Sequence, residues 1–498
     1  MKLHAPLFSL VFFLIIGISL GGYLDNWSKG FSILTPLLLI TCFLRSYPRS
    51  QTVGIWSCTL VLGAMLSSMK GQQLNIQWPQ EFIDQEVIVT SEPVIKEKVV
   101  AFDALTVQQH RKIKCRIVRN KASEHITIGE GIQILSKVTP IHKWRQDHFD
   151  YQRYMQCHGF TGETFIQNGY WRPHIVSLKG FSLIEKARLR LLCLRHRLLL
   201  HYQQWGLDSQ VYGIIAAMTL GDKSQMDTEL KDIYSRVGAA HVLALSGMHL
   251  MIIYAVVTLF VGWWRFRSLA QITTVLAIWG FAFLTGLSPS IMRAAFMITI
   301  YALLSLGYRE RMSVNTLAFT AIVMLVINPF ALYDIGFQLS FMAVLAIVLV
   351  NPLFTTLIPL PVLQRHRWLK VLWGLTTVSL AAQIGTAPLV AYYFGRFSTY
   401  FLLSNYLVVP MTTIILYLTL TCIVVFWWSS LQQLLVMSLS AVVSLTNLLL
   451  SDVATLPLSS VEGIHLSTLQ LYLIYILIGS LGVIISLYRK NVQNLAKG

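Results

Sequence analysis

The chain has 498 residues, of which 55% are hydrophobic and 12% are charged, and its formal net charge at pH 7 is +17. Soluble globular domains carry roughly a quarter charged residues, so this composition excludes an ordinary soluble protein and predicts a membrane protein with many spans. The excess of Lys and Arg indicates cytoplasmic loops first, and contact with anionic lipid or nucleic-acid phosphates second.

Three apolar stretches open the chain, at about residues 5–24, 31–44 and 52–69. The first has one lysine before its apolar run and small residues after it, as a signal peptide does. We interpret it as a retained membrane helix, because it is long enough to span a bilayer and further spans follow.

Residues 70–180 differ from the rest of the chain. Short runs such as EVIVTSEPVI and KIKCRIVR are rich in β-branched residues, alternate in polarity and are separated by polar and glycine breaks. This pattern predicts a small β domain, either a barrel or a sandwich of roughly one hundred residues.

Residues 181–206 have the pattern of a helix that carries charges on two sides. One side holds Lys186, Arg190 and Arg197, and the other holds Arg188 and Arg195. We interpret this segment as a helix that lies at the membrane interface rather than a span. Residues 207–236 are mixed in composition and predict a loop and a short helix.

From residue 239 onward the chain is almost continuously apolar. The candidate helices lie near 239–262, 269–287, 290–307, 314–328, 333–350, 370–394, 399–426, 431–450 and 466–487. The predicted fold class is a polytopic all-α membrane protein with about twelve transmembrane helices and a small β domain. Its parts are N-terminal transmembrane helices (1–69), the β domain (70–180), an interfacial helix and loop (181–237) and a second transmembrane domain (238–490).

Basic residues fall in every second loop of this twelve-span arrangement. The loops predicted to be cytoplasmic carry Arg45, Arg49, Arg265, Arg267, Arg309, Arg311, Arg365, Arg367, Lys370, Arg489 and Lys490. The short loops predicted to be outside carry Lys29 and Arg396, with Asp25, Asp452 and Glu462. The positive-inside rule then places both termini in the cytoplasm and residues 70–238 outside it.

The six cysteines form no CxxC pair and no cluster with histidine, so we predict no structural zinc, no other metal site and no cofactor. Cys42, Cys58 and Cys422 lie in apolar segments and are predicted to pack as small side chains. A β domain outside the cytoplasm makes a disulfide between Cys115 and Cys157 chemically permissible, although the sequence does not bring them together.

The segment AAHVLALSGMHLMIIY, residues 239–254, holds His241, Ser246, Gly247 and His249 at the start of an apolar run. Polar groups in hydrocarbon require partners, so they mark candidate functional positions. On a straight helix the two histidines lie about 80° apart, and Ser246 about 140° from His241. A polar channel wall or gate is one interpretation; a satisfied polar core or a Ser/His hydrolase are the others.

Further polar residues interrupt the later apolar segments. They are Arg293, Asp334, Gln338, Gln383 and Asn405. Arg293 either extends to water at the outer interface or faces a polar cavity, and Asp334 is a candidate ion-pair partner. Asp334 and Gln338 share a helix face. All five are candidate channel-lining or gating residues.

The run RKIKCRIVRNK, residues 111–121, carries six basic residues and no acid. On a strand, Lys112, Lys114 and Arg116 share one face, while the alternate residues face the core. These three cations are candidate DNA contacts, since small barrels hold single strands on basic faces with stacking aromatics. No aromatics are interleaved here, which favours a solvated face instead.

Seven blocks of this sequence resemble the ComEC competence-protein family. The signature block is HVLALSGMHL, followed in the family's order by SPSIMRAAFM, NPFALYDIGFQLSF, AAQIGTAPL and SNYLVVP. Upstream lie MTLGDKSQMD and HFDYQRYMQCHGFTG, residues 148–162. The resemblance covers nearly the whole chain.

The resemblance implies an inner-membrane channel for DNA in natural transformation, in which one strand enters the cytoplasm and the other is degraded outside. It implies an OB-type fold for the N-terminal domain, with single-stranded DNA, the lipid bilayer and other competence proteins as partners. The sequence leaves open whether the chain forms a homo-oligomer. Many members continue into a metallo-β-lactamase-type nuclease domain, but no His-x-His-x-Asp-His string occurs here. We therefore expect no enzymatic activity from this chain, and a separate nuclease.

Three hypotheses remain open from the sequence: a DNA channel, a transporter of a smaller anionic solute on the same membrane core, and an intramembrane hydrolase. A channel needs polar residues along one hydrated path, and a transporter needs a closed pocket near the midplane. A hydrolase needs Ser and His within hydrogen-bond reach of each other.

Overall fold

The computed structural model describes residues 6–24, 26–146, 149–261, 267–306 and 314–495. The described helices are α1 (Pro6–Leu20), α2 (Trp27–Phe43), α3 (Pro48–Leu74), α4 (Tyr151–Cys157), α5 (Leu183–Gln203), α6 (Ser209–Leu220), α7 (Thr228–Arg236), α8 (Gly247–Val261), α9 (Arg267–Leu284), α10 (Pro289–Leu306), α11 (Val314–Ile327), α12 (Ile335–Thr355), α13 (Leu360–Arg365), α14 (Arg367–Phe394), α15 (Phe401–Val424), α16 (Ser429–Thr455) and α17 (Thr468–Leu495).

The strands lie mainly between α3 and α5. They are β1 (Ile83–Val89), β2 (Val94–Ile95), β3 (Val99–Thr106), β4 (Lys112–Val118), β5 (Gly131–Ser136), β6 (Val138–Thr139), β7 (Arg145–Gln146), β8 (Phe149–Asp150), β9 (Phe160–Ile166), β10 (Trp171–Pro173), β11 (Arg396–Ser398) and β12 (Ser460–Glu462). The predicted β domain in the N-terminal half is therefore confirmed.

Eight of the described helices are long and apolar enough to cross a membrane: α1, α2, α3, α12, α14, α15, α16 and α17. The other four segments predicted to span coincide with α8 to α11, which are shorter apolar helices. A 15-residue helix such as α8 rises only about 22 Å, against a hydrocarbon core of about 30 Å. The chain is thus a helical multi-pass membrane protein, and the count of twelve spans stays a prediction.

Several residues used in the topology prediction fall outside the described ranges. These are Asp25, Arg265, Arg309 and Arg311. Arg267 begins α9, and both Arg489 and Lys490 lie within α17. The orientation of the chain in the membrane stays a prediction.

The β domain is built on one sheet with the strand order β10-β5-β1-β3-β4-β9-β6, and β2 adds to β3. β4 and β9 pair in parallel, whereas the other pairs are antiparallel. Only Lys137 separates β5 from β6, so one bent segment bonds β1 on one side and β9 on the other. This connection closes the sheet into a barrel.

Residue alternation along β4 sorts its side chains as the sequence predicts. Ile113, Cys115 and Ile117 are fully buried in the barrel core. Cys115 therefore has a core position, and burial raises the pKa of its thiol. Lys112, Lys114 and Arg116 project from the opposite face of the strand.

The helix α4 was not predicted, and it joins the β domain to the membrane helices. It packs on the 3₁₀ turn Pro329–Tyr333 that precedes α12. The Cys157 thiol donates to the Phe330 carbonyl at 3.0 Å, and the Asn328 amide donates to the Cys157 carbonyl at 3.1 Å. Burial raises the pKa of this thiol to about 12, so it stays protonated as the donor.

The disulfide between Cys115 and Cys157 is wrong for this structure, in which both cysteines are free and buried. Cys115 fills the barrel interior, while Cys157 faces the membrane helices. Core packing and the joint with the turn before α12 therefore occupy the two thiols separately.

The two charged sides of the helix α5 lie in different environments. Arg195 points inward and lies 3.7 Å from Asp222, whereas Arg190 and Arg197 are exposed. Behind α5, the helix α6 is almost entirely buried in a core shared with α15 and α16. The loop and short helix predicted from MTLGDKSQMDTELKDIYSRVG correspond to the segment after α6 and to α7, whereas α6 itself was not predicted.

Candidate functional site

The helix α8 begins at Gly247, and not near residue 239 as predicted. Ser246 precedes its first turn. The Ser246 backbone N–H donates to His249 Nδ1 at 3.1 Å, and the Ser246 hydroxyl lies 2.8 Å from the same atom. The amide contact resembles one half of a capping box, in which the side chain of the third helical residue satisfies the N-terminal amide. The angles expected for one continuous helix therefore do not apply.

His249 is fully buried and holds its ring in a defined orientation. Because Nδ1 accepts the Ser246 amide hydrogen, the ring proton of the neutral form is on Nε2. Among the residues that the structure describes, Nε2 has no hydrogen-bond partner. A buried donor without a partner costs roughly 1–3 kcal/mol, so this N–H is available to a polar group that enters the bundle.

The pair Ser246 and His249 meets the distance that the hydrolase hypothesis requires. Its other features differ from those of a catalytic pair. His249 has no exposed surface, and within the described ranges no carboxylate contacts its second nitrogen to orient it. The described residues also contain no group of three His, Cys, Asp or Glu side chains that could hold a metal. The geometry supports a helix cap better than a nucleophile and base.

His241 and Gly247 take different places near this cap. His241 is exposed in the loop before α8, and its Nδ1 lies 3.1 Å from the Gly238 carbonyl oxygen. A Cβ added at Gly247 would lie 3.6 Å from the Ala294 Cβ on α10. The start of α8 therefore packs closely on α10, one residue beyond Arg293.

Arg293 is buried, with only 5% of its surface exposed, and its guanidinium lies 3.7 Å from the Asp334 carboxylate. The alternative in which Arg293 extends to water is therefore wrong. Gly336 makes room for the guanidinium, since a Cβ there would lie 3.1 Å from Nη2. Asp334 also accepts from the Phe337 backbone N–H at 2.7 Å and so caps α12.

A third element reaches the same carboxylate from the β domain. His158, directly after α4, places its Nε2 3.6 Å from Asp334 Oδ2. Asp334 thus connects α10, α12 and the β domain. The sequence analysis missed His158, although it lies in the block HFDYQRYMQCHGFTG that supports the family resemblance.

Beside this joint lies a cavity of about 190 Å³ between α4, α12 and α14. Its lining includes Phe149, Arg153, Tyr154, Tyr333, Gln338, Tyr392 and Tyr393. Gln338 accepts from the Tyr393 hydroxyl at 2.8 Å and donates to the Leu332 carbonyl at 2.9 Å. The Arg153 guanidinium lies 4.2 Å from the centre of the Tyr333 ring. Asp150 and Ile335 complete the lining, so the cavity is rich in aromatic faces and contains one cation and one carboxylate.

The two remaining candidates lie on α14 and α15. The Asn405 amide donates to the Ser379 hydroxyl at 3.2 Å, and its Oδ1 has no partner among the described residues. Gln383 is half-buried on α14. The nine candidates thus occupy three places: the start of α8, the Asp334 joint with its cavity, and the contact between α14 and α15.

The three basic candidates of the β domain are paired with carboxylates. Asp103 lies 3.3 Å from the Lys112 ammonium and 2.6 Å from that of Lys114, and Glu163 lies 3.3 Å from the Arg116 guanidinium. Burial acts to raise the pKa of Asp103, but the two ammonium groups outweigh it, so the pKa lies below its ordinary value. Two carboxylates thus offset part of the charge of the three cations, and their contact with DNA stays a prediction.

Replacing the central carboxylate should therefore destabilise the barrel. We expect Asp103→Asn to lower its unfolding free energy by roughly 1–3 kcal/mol at pH 7, since it leaves two partly buried cations without a charged partner. Because the folded-state pKa is lowered, this stabilisation is present at neutral pH and is lost as the pH falls below about 4. Hydrogen exchange of the β3 and β4 amides measures the effect.

Glu97→Gln is the matched control, because Glu97 is exposed and has no ion pair within the described part of the chain. It should leave the exchange rates of β3 and β4 unchanged. Equal rates in the parent and in Asp103→Asn at pH 7 would show that the carboxylate does not stabilise the barrel.

Comparison with known proteins adds the family context. A family model described as "Competence protein" matches residues 218–488, which include α8, the Asp334 joint and the later helices. The chain is 30% identical over 280 residues to ComE operon protein 3 of Bacillus subtilis (strain 168), a match that covers 55% of this chain and 33% of that protein.

Two further relatives are uncharacterized proteins. The chain is 30% identical over 186 residues to one from Aquifex aeolicus (strain VF5), covering 37% of this chain and 41% of the relative. It is 24% identical over 210 residues to YcaI of Escherichia coli (strain K12), a match that covers 41% of this chain and 27% of the relative. The matches thus span less than half the length of each relative. No solved structure matches the chain.

Proposed function

Because the chain belongs to the competence protein family, we propose that it forms a membrane channel that carries single-stranded DNA into the cytoplasm. The observation that carries this proposal is the buried pair of Arg293 and Asp334, which lies where the membrane helices meet the β domain. A charge within a membrane bundle is costly, and such residues commonly line a polar path. The proposed path passes this pair.

The cavity beside the pair supports a nucleic-acid substrate over a small anion. Four tyrosines and one phenylalanine line it, with Arg153 as the cation and Asp150 as the carboxylate. Bases of a single strand stack on aromatic side chains irrespective of sequence, so the support comes from the aromatic faces and not from a net charge. A site for a small inorganic anion would instead require converging cations or backbone amides.

The architecture of the β domain agrees with this proposal. Its closed sheet, with β4 and β9 in parallel, supports an OB-type barrel, a fold that binds oligonucleotides. We place this domain outside the cytoplasm of an inner-membrane protein with both termini inside. Lys112, Lys114 and Arg116 contribute less to DNA binding in this account than unpaired cations would, because two carboxylates offset part of their charge. A separate nuclease would degrade the other strand.

The alternatives predict different responses at the start of α8. We expect Ser246→Ala and His249→Ala each to reduce transformation roughly tenfold. The first removes the hydroxyl contact with His249 and the second removes the acceptor of the Ser246 amide, each worth about 1 kcal/mol, and both alter the polar wall. Gly247→Leu should reduce it further, because a bulky side chain there would meet α10. Counting transformants at matched protein level in a strain that depends on this chain measures these effects.

Gly247→Ala is the control, because an added Cβ would make only an ordinary contact at 3.6 Å. It should transform like the parent. A hydrolase would give another ranking, in which Ser246→Ala is inactive while Gly247→Leu retains activity. Uptake of a small labelled anion, lost in the same variants while DNA uptake persists, would favour the transporter.

A further inference from the structure

A second cavity, of about 660 Å³, lies between α5 and the edge of the β domain. One wall is formed by the exposed side of α5, and the other by the loop before β5 and the segment that follows β10. The cavity is remote in the chain from the α12 turn and shares no lining residue with the tyrosine-lined cavity. It therefore requires its own explanation.

Three cations converge on this cavity from one stripe of α5. Lys186, Arg190 and Arg197 line it, with Cys193 between them at helical spacing. Among the described residues, no carboxylate lies within 4.0 Å of any of these three cations. The cations of the barrel face, by contrast, are all paired, as is Arg195 on the inner side of α5. Glu130 also lines the cavity, so three cations face one carboxylate and the lining keeps a net positive charge.

The rest of the lining is largely apolar and continues onto an exposed surface. Ile88, Val176, Leu178, Leu189 and Leu194 contribute to the walls. Beyond them, Ile175 is 96% exposed, Leu183 85% and Ile184 67%. Large apolar side chains at such exposure, next to a set of free cations, are typical of a surface that meets lipid.

The predicted span α9 gives the expected depth of α5, which is the level of the lipid headgroups. Its middle packs across the end of α9, where a Cβ added at Gly286 would lie 3.2 Å from Leu192. The end of a membrane helix marks the border between hydrocarbon and water. The cavity therefore lies where a phosphate could meet the cations while acyl chains meet the apolar surface.

We propose that this cavity binds an acidic phospholipid, with the headgroup phosphate on Lys186, Arg190 and Arg197 and the acyl chains along Ile175, Leu183 and Ile184. The bound lipid would fill the cleft between α5 and the barrel and hold the β domain against the membrane. DNA is the less suitable occupant, because no Phe, Tyr or Trp lines the cavity to stack with bases. The proposal does not depend on the DNA channel.

Cys193 provides a reporter inside the cavity of the unmodified protein. Its thiol is half-buried and lies 3.8 Å from the Ile128 carbonyl oxygen. We expect phosphatidylglycerol, added to the purified full chain in detergent, to slow alkylation of Cys193 at least fivefold, as measured by peptide mass spectrometry. Phosphatidylcholine should not slow it. Cys42, which is exposed on α2, reports any general effect of lipid on the reagent.

A charge variant then tests the cations directly. The triple change Lys186→Ala, Arg190→Ala and Arg197→Ala should raise the phosphatidylglycerol concentration needed for half-maximal protection roughly a hundredfold, at about fivefold in affinity for each cation near an anionic surface. The control Lys96→Ala, Lys98→Ala and Lys121→Ala removes three exposed cations of the β domain and should retain full protection.

The comparison of the two lipids on the parent protein still tests the proposal if the triple variant fails to fold. Equal protection by both lipids, or none by phosphatidylglycerol, would overturn the proposal. Protection by free glycerol phosphate at the same concentration would assign the site to a soluble phosphate instead. Protection by a single-stranded oligonucleotide below the effective lipid concentration would assign it to DNA.

Discussion

Arg293→Leu is expected to reduce DNA uptake at least a hundredfold at matched protein level. The substitution leaves the half-buried Asp334 carboxylate without its cation, and removing one partner of a buried ion pair costs roughly 3–5 kcal/mol. Asp334 also caps α12 and contacts His158, so the loss is transmitted to the joint with the β domain. Uptake of labelled DNA and protein level, compared with the parent, measure the effect.

The double change Arg293→Leu and Asp334→Asn separates two contributions, since Asn keeps a side-chain oxygen for the Phe337 amide at the start of α12. If the loss comes only from an unpaired charge, the double variant should regain protein stability, because both charges are gone. If the polar pair also serves transport, stability returns while uptake stays low. Lys98→Ala is the exposed control and should transform normally. Uptake at the parental level by Arg293→Leu would remove the pair from the mechanism.

The second large effect concerns the packing of the first and third helices. We expect Gly17→Ala to lower the unfolding free energy by roughly 3 kcal/mol, because the added Cβ would overlap the Leu60 backbone carbonyl and lie 3.1 Å from the Ala64 backbone nitrogen. Backbone atoms cannot turn aside as a side chain can. Thermal unfolding of the purified protein in detergent measures the change.

Gly479→Ala makes the same substitution in a helix where an added Cβ would meet nothing within 4 Å. It should leave stability unchanged or raise it by up to about 1 kcal/mol, since Ala favours a helix more than Gly does. Opposite signs for the two variants would establish close packing of α1 on α3. Equal behaviour would contradict it.

The sequence predicted well what depends on local pattern. The alternation of KIKCRIVR placed Ile113, Cys115 and Ile117 in a core, because a strand turns successive side chains to opposite faces. The two charged sides of the helix at residues 181–206 were also visible from its periodicity. Both predictions needed only neighbouring residues.

Local sequence patterns do not predict contacts between segments that are distant in the chain. Asp103 neutralises Lys112 and Lys114 through the register of two strands, which a single sequence does not give. His158 contacts Asp334 although the two are more than 170 residues apart, one in the β domain and the other at the start of α12. The pairing of Arg293 with Asp334 was foreseen as one option, since both charges lie in apolar segments and require partners.

The helix α8 begins eight residues later than the sequence predicts, and the reason is a contact between neighbouring residues. The apolar run suggested one helix from residue 239, but Ser246 and His249 form a capping contact that begins the helix at Gly247. The spacing of these two residues fits an N-terminal cap, in which a side chain three residues on reaches back to the capping amide. The capping box normally has Glu or Gln in that third position, so a histidine there does not indicate a helix start from the sequence alone.

Labelled-DNA uptake tests the central claim most directly. A competent strain that lacks its own family member would express this chain, and DNA protected from external nuclease would be measured. The account predicts single-stranded, protected label with the parent chain and background label with Arg293→Leu at equal protein level. Background label with the parent chain, or equal uptake by both, would contradict a DNA channel that passes the Arg293 and Asp334 pair.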